Sequence, residues 1–202
     1  EPVGGALPVA VLEELVAARA ARQPVAYVAD LDGGARRLAP SADFAERFRM
    51  DRSGLEEDGR HFVHVHNPPL RMLVVGAVHI AQALVPMARI AGHDVTVIDP
   101  RPAFGAAARF PDTNIVEEWP DEALAALGLD ARTAVVTLTH DPKLDDPAIR
   151  AALGSEVYYL GCLGSTRTHA KRVARLTEAG FSQEQIARIH APVGLDIGAR
   201  GP

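Results

Sequence analysis

The stretch VVGAVHIAQ, Val74 to Gln82, extends the apolar run MLVVGA and opens a helical pattern. That is the layout of a dinucleotide-binding strand–turn–helix. In that fingerprint the first glycine permits the turn and the second lets a pyrophosphate approach the backbone. The third position is small so that the helix packs closely on the strand. Gly76 and Ala81 satisfy the outer positions, but the middle one is Val78. A dinucleotide in the ordinary pose would collide with that branched side chain or be held away from the helix. Asp99 lies 23 residues after Gly76, near where a ribose-binding acid is expected. From this motif alone, a ligand turn and a turn with only a packing role both remain open.

Around it, MLVVGA, DVTVID, NIVEE, TAVVTLTH and EVYYLG are near-continuous apolar runs. Such runs suit parallel strands covered on both faces. Helical patterns separate them at 81–91, 121–127, 146–153 and 166–179. Asp146-Pro147 reads as an N-cap with proline at the first helical position, and Gly180 follows the last periodic residue of its helix. The fold class expected is α/β, a Rossmann-like open parallel sheet with helices on both faces, over residues 69–202. A small N-terminal α+β unit, residues 1–68, precedes it. There, residues 8–23 have helical spacing, with Val11, Leu12, Leu15 and Val16 facing one side. PVAYVADL reads as a strand, and Asp32-Gly33-Gly34 as a tight turn into a second strand. Residues 41–48 predict a short helix capped by Ser41, residues 50–60 a surface loop, and HFVHVH a strand. Pro68-Pro69 marks the boundary.

With 202 residues and 48% hydrophobic content the chain can bury a core without staples. A net charge of -5 and an aromatic content of 5% argue against a nucleic-acid partner, and the charge also argues against an anionic membrane. The single cysteine, Cys162, excludes a disulfide framework and a cysteine-rich zinc site. No signal peptide or membrane span is predicted, because the apolar runs are broken by charge, Gly or Pro. A globular, cytoplasmic protein is expected.

In open α/β sheets ligands bind beyond the carboxyl ends of the strands. Four polar segments fall there: GAVHIA from Gly76, Asp99-Pro100-Arg101, THDPKLDD from Thr139, and GCLGSTR from Gly161. The last suits an anion. Gly161 and Gly164 free the backbone, and Ser165 or Thr166 caps a helix whose first amides face the pocket. Arg167 sits in that helix's first turn, where the dipole disfavours a cation unless an anion is near. Lys171 and Arg175 continue its face, flanked by His169 and Arg172, and a solvated basic face is the plain alternative. His140 and Asp141 suit acid–base work or an Asx-type turn. Cys162 is either a thiol of lowered pKa near a helix N-terminus or a buried small hydrophobe. His64 and His66 share a strand face but do not complete a metal site. No Ser/His/Asp order or paired-carboxylate spacing marks a hydrolase.

GAVHIAQAL, VIDPR, LTHDPKLDD, GCLGSTRTHAKR and RIHAPVGLDIGA occur together in the order found in the XdhC/CoxI family, the xanthine dehydrogenase accessory proteins. The chain resembles that family from about Pro69 to Ala199. The resemblance implies a non-enzymatic maturation factor. Such a factor binds molybdenum cofactor (molybdopterin) as cargo, protects it while its sulfurated form is prepared, and delivers it to xanthine dehydrogenase or a related molybdenum hydroxylase. A cofactor-sulfurating enzyme is a further expected partner, and a homo-oligomer the expected assembly. Cofactor-binding residues are then expected at Gly76, Ala77, Val78 and His79, at Asp99 and Arg101, and at Thr139, His140, Asp141 and Lys143. The last turn adds Gly161, Cys162, Gly164, Ser165, Arg167 and Thr168, with none of them catalytic and no metal ligand. Lys143, Asp145 and Asp146 are expected to project charge toward the acceptor enzyme.

The chain departs from the family's usual pattern. Many members carry an N-terminal cysteine-bearing motif, and no cysteine precedes Cys162 here. Many have glycine where Val78 stands, and members usually continue into a further helix after LDIGA. An NAD(P)-binding oxidoreductase of Rossmann type is the alternative that Gly76, Ala81 and Asp99 support and Val78 opposes. An interaction adaptor that uses its sheet as a scaffold is a third.

Overall fold

Helix α1 (Val9–Ala20) opens the first of two units into which the chain divides, Glu1–Pro68 and Pro69–Pro202. The computed structural model describes residues 8–102, 107–195 and 197–198. Asp196 and Ala199 of the RIHAPVGLDIGA motif, and Gly201-Pro202, lie outside the described residues. On α1 the buried residues are Leu15 and Ala18, while Leu12 and Val16 are exposed. The expected apolar side is therefore rotated, because the small Ala18 lets the helix close on Val25 and Leu38.

Strands β1 (Val25–Asp30) and β2 (Arg36–Pro40) pair antiparallel. The Asp30 carboxylate organises their turn, accepting the amides of Asp32 and Gly33 and two guanidinium bonds from Arg60. Ser41 does not cap a helix. It begins a 3-10 turn, Ser41–Phe44, behind Pro40, and α2 (Ala45–Arg49) follows. The expected loop at 50–60 contributes a two-residue strand, β3 (Gly54–Leu55), which pairs with β4 (His61–His66). The sheet order is β2-β1-β4-β3. Ala26, Val28, Ala39 and Val63 form its core, with Phe44 and Phe48 packed against them.

The second unit runs β5 (Arg71–Val75), α3 (His79–Ile90), β6 (Asp94–Ile98), β7 (Asn114–Val116), α4 (Pro120–Leu127), β8 (Thr133–Thr137), α5 (Pro142–Leu153), β9 (Tyr159–Cys162), α6 (Thr166–Glu178), α7 (Gln183–Ile186) and β10 (Ile189–His190). Among the described residues its sheet has six strands, all parallel, in the order β10-β9-β8-β5-β6-β7. The chain thus winds outward in two halves from β5 and β8, the Rossmann arrangement, whose ligand crevice opens where those two strands end.

Alternation along each strand divides the core between the two faces of the sheet. Val74, Val97 and Val136 pack with Ala81, Val85 and Ala88 of α3. Leu73, Val75, Val135 and Leu160 pack on the other face with Ala123 and Leu124 of α4, Ala148 and Ile149 of α5, and Leu176 of α6. Helix α5 starts earlier than the sequence suggests. Its N-cap is Asp141, whose carboxylate accepts the Lys143 amide, and Pro142 takes the first helical position. Asp146-Pro147 therefore lies inside the helix. Gly180 does follow the end of α6, at a φ of +90°. Among the described residues no helix is long and apolar enough to cross a membrane.

Candidate functional site

The crevice between β5 and β8 is narrow because two turns touch across it. Gly76 has a φ of +108°, and a Cβ there would lie 2.5 Å from Thr139 Cγ2, so only glycine fits. The backbone then passes through the fully buried Ala77 to Val78, which starts α3 as its N-cap without a side-chain cap. Val78 is partly buried against the core on the α3 face, and His79 is exposed.

Asp99 closes this turn from the side. Its Oδ2 accepts the Ala77 amide at 2.8 Å and Arg101 Nη2 at 2.7 Å, while Oδ1 accepts the Arg101 amide and Nε. Burial pushes the carboxyl up, but the bonds from Arg101 and Ala77 outweigh it and the net shift is downward. Asp99 is thus a fully buried structural carboxylate with both oxygens engaged, not the free ribose-binding acid its spacing suggests. Sequence reasoning also misses Arg109, which donates to the Ala77 carbonyl at 2.9 Å and steadies the same turn.

On the far side of the crevice, Thr139 donates its hydroxyl to Asp145 Oδ1 at 2.6 Å and accepts the Asp141 amide. Asp141 caps α5, which decides between its two readings in favour of the turn-forming one. His140 is exposed with a φ of +62°, left-handed backbone unusual for a non-glycine residue. Lys143 is exposed. Asp145 and Asp146 do not project toward a partner as expected. They are 2% and 6% exposed, because α5 begins at Pro142 and turns both inward.

The turn after β9 differs from expectation in its first half. Gly161 and Cys162 belong to β9, in the core. A Cβ on Gly161 would press on Tyr159 and Val193, so this glycine serves packing. Cys162 is fully buried, and burial pushes its thiol up, which removes the reactive-thiolate reading. The second half matches expectation. Gly164 has a φ of +137°, and Ser165 caps α6 by accepting the Thr168 amide.

Between the start of α5 and the first turns of α6 lies a cavity of about 530 Å³. His140, Pro142, Asp145, Arg167, Thr168, Lys171, Arg172 and Arg175 line it. Arg175 is bound to the Asp146 carboxylate by bonds of 2.6 and 2.9 Å. Arg172, expected to flank a solvated basic face, is instead 2% exposed. It stands one helical turn before the buried Leu176, so it occupies a core-facing position of α6. That i, i+4 spacing is the signal the sequence offers. The paired histidines of the first unit, His64 and His66, have ring centroids 4.3 Å apart. Burial, then the charges of His64 and Arg19, lower the His66 pKa.

Residues 72–202 match the family described as the XdhC Rossmann domain. Over 133 residues the chain is 34% identical to a protein of Escherichia coli (strain K12) named molybdenum cofactor insertion chaperone PaoD, covering 66% of this chain and 36% of that one. It is 30% identical over 142 residues to a Bacillus subtilis (strain 168) protein named as a probable xanthine dehydrogenase subunit, covering 70% of this chain and 41% of the other. A crystal structure described as a xanthine dehydrogenase from Bacillus halodurans shares the fold, with a TM-score of 0.66 at 24% identity over 94% of this chain and 61% of that one. The chain spans less than half the length of the curated relatives it matches. With its glycine turns, its parallel sheet and a family match over most of its residues, the chain belongs to the XdhC family.

Proposed function

We propose that this chain is a molybdenum cofactor-binding maturation factor. It holds the cofactor as cargo for xanthine dehydrogenase or a related molybdenum hydroxylase and turns nothing over itself. The observation that carries this reading is the contrast at the sheet edge. Asp99, the acid a nicotinamide dinucleotide would need, is occupied by Ala77 and Arg101. Arg167 and Lys171, in contrast, have no hydrogen-bond or ion-pair partner among the described residues. The cofactor is a pterin with a phosphate or dinucleotide tail, so it needs a broad wall and a cationic seat more than a ribose acid. Val78 and the Thr139-His140 turn offer the wall, and the Gly164–Thr168 turn offers amides and Arg167 for the anionic end. The relative named as an insertion chaperone supports the same reading.

Turns at a sheet edge shift at lower cost than the strands beneath them, which suits a site that must release its cargo when the acceptor docks. Lys143, exposed beside the site, is available to that acceptor; Asp145 and Asp146 are not. A host lacking this protein should make normal amounts of its molybdenum hydroxylase, folded but short of active cofactor. Full hydroxylase activity in that host, with cofactor supply otherwise ordinary, contradicts the proposal.

A further inference from the structure

The cavity between α5 and α6 holds a charge that the protein itself leaves unanswered. Arg172 is 2% exposed, yet its Nε and Nη1 have no hydrogen-bond partner. Its Nη2 donates to the Leu163 carbonyl at 3.2 Å and lies 3.7 Å from Asp145 Oδ2, beyond hydrogen-bond reach. A buried guanidinium is costly unless its donors are met, and Arg172 lines the cavity, so its two unmet nitrogens point to an acceptor there.

The rest of the lining sets the charge of that acceptor. Asp146 answers Arg175, and Asp145 formally answers Arg172. Arg167 and Lys171 are exposed at the rim without partners among the described residues, leaving an excess of two positive charges. The N-terminus of α6 adds its dipole, since Ser165 occupies only the Thr168 amide. The Asp145 carboxylate is already set against Arg172 in that balance: its Oδ1 accepts the Thr139 hydroxyl, and burial pushes the carboxyl up. A volume of about 530 Å³ is in the range of small-molecule sites, so the cavity has room for an anion alone or for one that ends a larger ligand.

We propose that this cavity binds a tetrahedral oxyanion of two negative charges, a phosphate monoester or phosphate itself, seated on Arg172 and held at the rim by Arg167 and Lys171. The inference deepens the cofactor-binding reading by assigning the ligand's charged end to one cavity, and it rests on that reading only for the identity of the remainder.

Calorimetry on the full chain in phosphate-free buffer, with inorganic phosphate and with phenyl phosphate as probes, tests it. Saturable binding is expected. Arg172→Met should abolish it, and Arg167→Ala and Lys171→Ala should each weaken it about tenfold, the loss of one charge-assisted hydrogen bond. Arg150→Ala, an exposed cation on α5 outside the cavity, should leave it unchanged. If Arg172→Met fails to fold, the two rim variants decide. Tighter binding of phenyl phosphate identifies the terminus of a larger ligand, and equal binding identifies free phosphate; either upholds the site. No saturable binding of either probe, or equal losses in Arg150→Ala and Arg167→Ala, overturns it. Phosphate binding by a protein that carries no pterin keeps this site and removes the cofactor-binding function; pterin without phosphate binding does the reverse.

Discussion

The turns that follow β5 and β9 share a plan: a strand, a glycine with positive φ, then a helix. Gly76 at +108° leads into α3 and Gly164 at +137° into α6. At the first turn Asp99, Arg101 and Arg109 are all engaged. Asp99 holds Ala77 and Arg101, Arg109 holds the Ala77 carbonyl, and the N-cap is an apolar valine. In the second, serine caps the helix, Arg172 is only partly answered, and Arg167 and Lys171 have no partner among the described residues. The more recognisable fingerprint is thus the more self-contained one. Chemistry is left over where charges lack partners, not where the glycine spacing is most familiar.

Substitutions test that contrast directly. The largest effect is expected for Gly76→Ala, which forces a Cβ to 2.5 Å from Thr139 at a φ that L side chains rarely adopt. A loss of about 3 kcal/mol in urea unfolding is expected. Gly164→Ala meets the Thr168 side chain at 3.0–3.1 Å and His140 Nδ1 at 3.7 Å, so it should cost less. Equal costs would remove the distinction between a locked and an adaptable turn.

Next comes Asp99→Ala, which leaves the buried Ala77 amide unpaired and removes the carboxylate that Arg101 binds. About 2 kcal/mol of stability should be lost, without gain of NAD(P) binding. A smaller loss accompanied by tight nucleotide binding would make Asp99 a ligand residue after all. Arg167→Ala and Arg175→Ala should then separate. The first should change stability by less than about 0.5 kcal/mol while weakening cofactor binding by about 1–3 kcal/mol. The second should destabilise, because it leaves the carboxylate of Asp146 buried and unpaired. Identical profiles would mean that the basic face of α6 acts through diffuse charge.

The smallest effect lies in the first unit. Arg60, the Gly33 amide and the Asp32 amide hold Asp30 well below the usual carboxylate range. A carboxylate whose pKa is depressed by folding stabilises above its unfolded pKa, about 3.9, and that stabilisation is lost as pH falls. Asp30→Asn should therefore lower the thermal midpoint at pH 7, with the gap to the parent closing below about pH 4. A gap that widens in acid would show that the side chain acts through shape and not through charge.

Much of this is legible in the sequence, and what is not has identifiable causes. The five apolar runs mark their strands, since parallel strands buried on both faces leave no ambiguity of face. The start of α5 is easily misplaced because Asp141-Pro142 and Asp146-Pro147 satisfy the same capping rule; the structure uses the earlier pair and carries Pro147 within the helix. That shift of one helical turn or so is what buries Asp145 and Asp146. Their partners, Thr139, Arg172 and Arg175, come from other elements, and no local pattern announces them. The same holds for Asp99, whose spacing from Gly76 is plain while its bonds to Ala77 and Arg101 are invisible in the sequence. Arg172 is hidden by its own type, because arginine at a core-facing helical position is rare enough to pass for surface.

If the edge of this Rossmann sheet carries molybdenum cofactor and not a nicotinamide dinucleotide, the purified protein should contain it. The measurement is made on protein from a molybdenum-replete host, denatured and oxidised so that any pterin becomes fluorescent. Released pterin approaching one equivalent per chain is predicted, reduced in Arg167→Ala, with no NAD(P) in the same extract. A pterin-free protein that instead binds NAD(P) at micromolar concentration would contradict the cofactor-carrying role.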